Sequence, residues 1–532
     1  MGYGGIQQSL HVRSLGSSKP GDHDDEVRRC PTKQKPLRLP PTTCTSVRME
    51  EGASMDALAA ELVILVLVSV ESVYELGAAA CVSWEFRLKF VERALRMRAG
   101  ERGETVEDML PAGEANWVQV LCWRERRRVP QCVAAAGAMH SAFADPHGRL
   151  LTCGEDMHQF GFLGQGEATS TLLPTPVPRS TRATARVVAV AAHSMHTLAL
   201  TRDGDVYSFG HGGCGKLGHG DELGLCVPRR IAWLDGIRVV EITAGQQHNL
   251  VLSDAGVVFS FGSGFGGKLG HGNQFNQLQP KRIESLERVA TVAAGAFHSL
   301  VAGAADGALY SFGYGAMGQL GHGGREEELS PRAVAALAGT RVVGLAGGEH
   351  HSLVVDDSGA VYSFGAGEAG ERSGWLGGWL GHGSLEEQRV PKRIQALRGK
   401  RVVAVAAGSR HSLVLVDGGV VYSFGDGDGG KLGHGDVRFQ WVPTRLHSLA
   451  AERVVCITAG ESHSLCVLSD GRVFGWGSGA VGLGPQLTEY PPVQFGSAGN
   501  YEWAPGDGLL NRQARTPLLL QFPTAAATST AA

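Results

Sequence analysis

The sequence predicts an all-β fold, a seven-bladed β-propeller with a small α-helical segment before it, and three observations carry that prediction. First, one unit recurs. Its clearest copy is Arg401–Gly435, RVVAVAAGSRHSLVLVDGGVVYSFGDGDGGKLGHG. Aligned on one histidine, the copies fall at His140, His196, His248, His298, His351, His411 and His463, at intervals of 56, 52, 50, 53, 60 and 52 residues. A unit of this size cannot bury its own apolar face and must stack on neighbours. Second, each copy reads as four short strands. Val-Val-x-Val-Ala-Ala and Leu-Val-Leu are β-branched and apolar, Val-Tyr-Ser-Phe alternates with period two, and Asp203-Gly204 and Asp470-Gly471 mark tight hairpins. Third, 76 of the 532 residues are glycine, about twice the usual share, and they recur in register at the ends of strands.

Four-stranded units of this length imply blades around an axis. The small residues of Ala-Ala-Gly suit the innermost strand, where seven chains converge. The repeats occupy residues 128–497. The stretch Val129–Gly137 is itself a copy of the first strand, so it is expected to complete the blade that begins at His463 and so to remove an exposed edge. Residues 498–532 end in a run of Ala, Thr and Ser and are expected to form a flexible tail.

Residues 1–54 mix Pro, Lys, Arg, Ser and Thr without apolar periodicity and read as disordered. Met55 precedes the first folded-looking segment and is a second candidate start of translation. Residues 55–100 are rich in helix formers. Their longest apolar run, Ala57–Val70, is 14 residues interrupted by Glu61, short of the ~20 that a membrane span needs. Residues 101–127 form a charged linker with the cluster Arg124, Arg126, Arg127 and Arg128, read as a solvated face.

Composition excludes several classes. A net charge of −3 supplies no field for nucleic acid or anionic membrane, so neither is expected as a direct partner. The ten cysteines contain no Cys-x-x-Cys pair, which argues against a zinc ribbon and suggests no disulfide framework. A cytoplasmic location is expected, with the nucleus as the alternative.

Repetition also bears on chemistry. Seven histidines head His-Ser-Leu or its equivalent, and five more (His219, His271, His322, His382, His434) sit in Leu-Gly-His-Gly. Catalysis or metal binding needs a histidine once or in a cluster, not once per blade, so these twelve read as structural. Gly210–Lys216, Gly262–Lys268 and Gly425–Lys431 each satisfy Gly-x-x-x-x-Gly-Lys. A phosphate loop continues with Ser or Thr and a helix, whereas these continue with Leu217, Leu269 and Leu432. No cofactor, metal site or catalytic residue is expected, and the chain reads as non-enzymatic.

The fifth unit departs from the pattern. Seven residues separate the turn glycine from the next Leu-Gly in most copies (Gly425 to Leu432), but fifteen separate Gly365 from Leu380. The insertion places Arg372, Trp375 and Trp379 where other copies hold glycine. Trp and Arg dominate binding hot spots, which makes these three candidate partner contacts. A loop folded back on its own blade is the alternative.

Two resemblances follow from these residues. Gly-x-x-His-Ser-Leu, Asp-Gly-x-Val-Tyr-Ser-Phe-Gly and Gly-x-Leu-Gly-His-Gly closely resemble the repeats of the regulator of chromosome condensation family, over about 370 of 532 residues. That resemblance implies a seven-bladed propeller. It also implies, as one possible activity, guanine-nucleotide exchange on a Ran-like small GTPase. The founding member uses a protruding wedge for exchange, and eight extra glycine-rich residues make a poor one. Light sensing, known in another branch, requires a Trp two residues before each histidine, and no copy has one.

The helical segment resembles an F-box, which reads roughly Leu-Pro-x-Glu-Leu, an aliphatic helix, then Leu-x-x-x-x-x-Val-Ser-x-x-Phe. Leu58, Glu61, Leu62, Leu65, Leu67, Leu76, Val82, Ser83 and Phe86 follow that order. Ala59 stands in place of the Pro, and one extra residue precedes Leu76. This resemblance implies a protein-interaction scaffold acting as substrate receptor of a cullin-type ubiquitin ligase. Leu62, Leu65, Leu76, Val82 and Phe86 would then face a Skp-type adaptor. About 35 residues follow the repeats, so no ligase module is expected after them.

Overall fold

The computed structural model describes residues 133–156, 160–166, 170–178, 186–367, 378–479 and 513–520. Among these, the strands form seven four-stranded antiparallel sheets, each a blade made of consecutive strands. The first strand of every blade touches the first strand of the blade on either side, from Ala134–Ala136 round to Val454–Ala459 and back. These strands therefore surround the axis, and the ring is closed and seven-membered.

Burial explains the sequence of each strand. The second strand, His411–Val416 in blade six, is buried along almost its whole length because a neighbouring blade covers each of its faces. Such a strand is apolar throughout instead of alternating. The outer strand is half-exposed and carries a proline, as in Gln440–Arg445 and Gln388–Arg393. A missing N–H is tolerated there because an edge strand has no partner on one side, and the adjoining Lys and Arg discourage edge-to-edge pairing. Three residues after that proline an aliphatic side chain turns inward: Ile231, Ile283, Val334, Ile394 and Leu446 are all nearly inaccessible.

Ring closure differs from the sequence expectation. The first strand, Ala134–Ala136, pairs with His140–Ala144 of its own blade, with Ala134 opposite Phe143. It does not complete the blade of His463. That blade takes its outer strand from Gln513–Leu519, which pairs with Val473–Ser478, so this part of the expected tail 498–532 is built into the sheet. Pairing sets Ala514 opposite Gly477, as Gln440 stands opposite Gly425 in blade six. Pro517 then corresponds to Pro443 and Leu520 to Leu446. Leu520 donates its N–H to the Val473 carbonyl at 2.8 Å, as Leu446 does to Val421 at 2.9 Å. The seventh outer strand was thus a true copy, displaced along the chain. Blades one and seven meet through packing, with Phe143, Leu151 and Cys153 against Leu465, Val467 and Val473.

Each blade is locked to the next by its histidine. His140 Nε2 meets Thr197 Oγ1 at 2.8 Å, His196 meets Asn249 Oδ1 at 2.8 Å, and His248 meets Ser299 Oγ at 2.9 Å. His298, His351 and His411 meet Ser352, Ser412 and Ser464 at 2.8, 2.9 and 2.8 Å. His463 returns to Ser141 at 2.8 Å and closes the circuit. The receiving group is always the residue after the next blade's histidine. It passes its own hydrogen back to a loop carbonyl: Ser299 to Lys268, Ser352 to Gln319, Ser464 to Lys431, and Asn249 through Nδ2 to Lys216. A hydroxyl that donates there must accept from the imidazole, which fixes the proton on Nε2.

The second set of histidines staples within blades. His219, His271, His322, His382 and His434 each contact the serine of Val-Tyr/Phe-Ser-Phe at 2.9 Å. That serine donates to the carbonyl of the same loop's leucine, as Ser260 does to Leu269 at 2.7 Å. All twelve histidines are framework. One cysteine expectation changes in detail: Cys456 is disulfide-bonded, while Cys153, Cys214, Cys226 and Cys466 are free.

Two consequences can be measured. A Cβ on Gly408 would lie 2.3 Å from the Gly460 carbonyl oxygen and 2.4 Å from His411 Cε1. Neither atom is a flexible end, so Gly408→Ala should cost about 3 kcal/mol in urea unfolding; a loss under ~0.5 kcal/mol would refute this packing. Burial also pushes His140, His298 and His351 down to about 3 and His463 to about 4, from an ordinary 6.5, and holds His196, His248 and His411 well below it. Each imidazole is thus neutral when folded but gains a proton on unfolding below pH 6.5. The stabilisation is complete above that pH and falls by up to about 1.4 kcal/mol per histidine per pH unit as the pH drops toward 4. Unfolding at about pH 5.5 should take up several protons. A stability unchanged between about pH 7.5 and 5.5 would contradict the assignment.

Candidate functional site

One face of the propeller carries two sets of loops. The loop before each histidine joins the first and second strands, and the loop after each turn glycine joins the third and fourth. They are tied together, because the residue after the turn glycine donates its N–H to the residue before the histidine: Ser263 to Gln247, Tyr314 to Phe297, Asp426 to Arg410. The turn glycines adopt φ between 107° at Gly425 and 140° at Gly154. A Cβ at Gly425 would lie 2.6 Å from the Arg410 carbonyl oxygen, so only glycine permits the two loops to cross. Around this fixed crossing the side chains differ from blade to blade.

Among the described loop residues of blades five and six, charged side chains pair with one another. Glu349 is bonded by Ser409 Oγ and lies 3.7 Å from Arg410 Nε and 3.6 Å from His350 Nε2. Glu461 stands close enough that burial and the Glu349 charge push its carboxyl upward.

Over blades two to four the face is different. Leu223, Phe265 and Phe275 are 68%, 56% and 75% exposed. Phe265 stacks on Tyr314 at 6.3 Å, Phe297 meets Tyr314 edge-on at 6.2 Å, and Phe297 stacks on His350 at 5.4 Å. Beneath them lie two cations. Lys216 and Lys268 are only 4% and 2% exposed, and burial lowers both ammonium groups to about 8. The Lys268 ammonium sits 5.8 Å from the Phe265 ring centre and 5.9 Å from that of Phe297. The third such lysine, Lys431, is ion-paired with Asp426 at 2.7 Å.

These are the lysines of the three Gly-x-x-x-x-Gly-Lys loops. Each loop passes through a three-residue 3-10 turn, such as Phe265–Gly267, and then buries its Lys and Leu. Among the described residues no helix N-terminus faces them, so the phosphate-loop likeness is superficial. The repeat motif itself does not distinguish Lys431 from the other two. The only available signal was Asp426 five residues before Lys431, where blades two and three have His211 and Ser263. Among the described residues no group of three His, Cys, Asp or Glu is arranged to hold a metal ion.

The partner contacts expected from sequence fare differently. Trp379 is fully buried. It occupies the slot that Lys216, Lys268 and Lys431 fill in other blades, with its carbonyl accepting from Ser412 at 3.3 Å and its ring 6.4 Å from that of His351. It fills the gap between blades five and six and is not a surface contact. Arg372 and Trp375 lie outside the described residues, as do Leu62, Leu65, Leu76, Val82 and Phe86.

A buried cation without a counter-charge costs free energy, whereas breaking a buried ion pair costs more. Lys216→Met and Lys268→Met should therefore each stabilise the fold, by about 1–2 kcal/mol, and Lys431→Met should destabilise it by about 3 kcal/mol by stranding Asp426. Urea unfolding of the three variants checks the sign of each. Destabilisation by all three to a similar extent would show that the first two are also paired.

The RCC1-like domain family matches residues 100–447 and the regulator of chromosome condensation (RCC1) repeat matches 454–482. Mouse E3 ubiquitin-protein ligase HERC2 is 35% identical over 367 residues, which are 68% of this chain but 7% of that protein. The ultraviolet-B receptor UVR8 of Arabidopsis thaliana is 34% identical over 353 residues, 66% of this chain and 77% of the receptor. Among solved structures, human WBSCR16 superposes with a TM-score of 0.54 at 25% identity, covering 62% of this chain and 84% of that one. Prp20p of Saccharomyces cerevisiae gives 0.53 at 26%, covering 62% and 80%. With seven blades, the repeated histidine lock and a family match across most of its length, this chain belongs to the RCC1-like family.

Proposed function

We propose that the chain is a non-enzymatic protein-interaction scaffold whose propeller holds a protein partner on the loop face. The observation that carries this reading is the contrast between a uniform frame and the sector of blades two to four. There Leu223, Phe265 and Phe275 stand exposed on the loops that carry Lys216 and Lys268, two buried cations with no carboxylate partner among the described residues. Aromatic side chains exposed around a basic centre suit a protein partner. Relatives that include a ubiquitin ligase, a photoreceptor and Prp20p, which binds Gsp1p and histones, support a scaffold used for different partners.

In the finer form of this proposal the F-box-like segment docks a Skp-type adaptor through Leu62, Leu65, Leu76, Val82 and Phe86, and the propeller presents a substrate to a cullin-type ligase. The second reading is nucleotide exchange on a Ran-like GTPase, suggested by the family's founding activity. Arg372 and Trp375 remain proposed partner contacts in either case.

One pair of assays separates the readings. The full chain should co-purify with a Skp-type adaptor and lose it when Leu65 and Leu76 are both replaced by Asp. Adaptor capture that survives this double substitution, or never occurs, refutes the ligase reading. Acceleration of labelled-nucleotide release from a Ran-like GTPase by the same chain would establish the second reading instead.

A further inference from the structure

Among the described residues, three regions hold chemistry that the frame does not use. The Glu349–Arg410 cluster is satisfied by its own members. Cys214 is a free thiol at φ 62°, in a slot where blades three and six have Gly266 and Gly429, a lone cysteine without a second group around it to form a site. The third region is the pair Lys216 and Lys268.

We propose that Lys216 and Lys268 form a two-cation seat for an acidic protein segment, two carboxylates of which enter the loop face between blades two and four and pair with them. This deepens the scaffold reading and rests on it.

Position is the first argument. Backbone carbonyls of both lysines belong to the histidine circuit, Lys216 accepting from Asn249 at 2.7 Å and Lys268 from Ser299 at 2.8 Å. The two side chains are thereby anchored in fixed and equivalent places on adjacent blades. They are near enough for the Lys216 charge to act on Lys268, and Cys214 lies close enough to act on both.

Charge is the second argument. In blades one, four, five and six this slot is neutral or neutralised: Phe162, Gln319 and Trp379 carry no charge, and Lys431 has Asp426. The place of Asp426 is taken by His211 in blade two and Ser263 in blade three, each fixed by the equivalent backbone hydrogen bond. Neither supplies a negative charge. Among the described residues no carboxylate lies within ion-pair distance of Lys216 or Lys268. Cys214 acts on Lys216, and Cys214 and Lys216 act on Lys268; the lysine charges in turn lower their neighbours, Lys216 acting on His193, His196 and His211 and Lys268 on His248. Two ammonium groups held out of bulk water, without a counter-ion, are a standing cost that an arriving carboxylate relieves.

The surroundings choose among anions. Phe265, its ring 5.8 Å from the Lys268 ammonium, is more than half exposed, as are Leu223 and Phe275 on the same two loops, which favours a polypeptide bearing apolar and acidic side chains over an inorganic ion. The chain's net charge of −3 offers no wider basic track for a nucleic-acid backbone.

The test is selection of a phage-displayed random peptide library on the full chain and on a Lys216→Met/Lys268→Met chain. Peptides enriched on the natural chain should carry paired Asp or Glu beside an apolar residue. A selected peptide, made with a fluorescent label, should bind the double variant at least tenfold more weakly in anisotropy titrations while Lys281→Met, on the outer strand, leaves binding unchanged. Because the methionine variants retain the anchoring carbonyls, circular dichroism should show them folded. Enriched peptides without acidic excess, or with an excess that persists on the double variant, overturn the proposal but leave the scaffold reading standing. Failure to enrich any peptide counts against both. Capture of labelled single-stranded DNA with the same lysine dependence would assign the seat to nucleic acid and overturn it as well.

Discussion

The fold depends on a circuit of hydrogen bonds that runs once round the axis. Each imidazole donates to a hydroxyl or amide on the next blade, and in six of the seven cases that group is seen to donate back to a loop carbonyl of the blade before. Six of the seven handovers are repeated copies within the chain. The seventh, His463 to Ser141 at 2.8 Å, joins residues more than three hundred positions apart and makes the ring complete. Every polar group in the circuit is buried, so each hydrogen bond is one whose loss would strand both partners. This accounts for the tolerance shown at Asn249: its carbonyl accepts and its amide donates, which is what Ser does with one oxygen. It also accounts for the glycine three residues before most of the histidines, since a Cβ at Gly245 would lie 2.5 Å from Cε1 of the His248 ring.

Much of this was legible in the residues themselves. A motif that occurs seven times at nearly constant spacing specifies the blade number, and histidines that recur once per blade cannot be a single catalytic centre. What repetition could not convey was pairing. Val129–Gly137 resembles a first strand, and that likeness is correct; the inference that it joins the last blade was not, because the outer strand that competes for that edge was hidden. Its marker, Pro517 followed three residues on by Leu520, matches Pro443 and Leu446 only when the register of Gln513–Leu519 against Val473–Ser478 is known. The intervening length removed the spacing cue.

The candidate site was legible in a different and weaker sense. Trp379 stood out because it is large and departs from the pattern, yet its ring is fully buried against the neighbouring blade, where it fills space. Lys216 and Lys268 attracted notice only as members of a phosphate-loop pattern that the following leucines rule out. Their distinction from Lys431 lies five residues earlier, in the exchange of Asp426 for His211 and Ser263, and becomes meaningful only once the crossing loops bring those positions together. Departures from a repeat thus identify a surface only after the fold has shown which slots face outward.

The late outer strand has a consequence for biogenesis. During synthesis the first six blades emerge with all four strands in order, but the seventh must wait with its Val473–Ser478 edge bare until residues 513–519 have left the ribosome. Until then the nascent chain presents an unpaired β-edge beside the last inter-blade seam. Engagement by a chaperone that shields such edges, or capture of the equivalent strand from a neighbouring nascent chain, competes with completion at that stage alone.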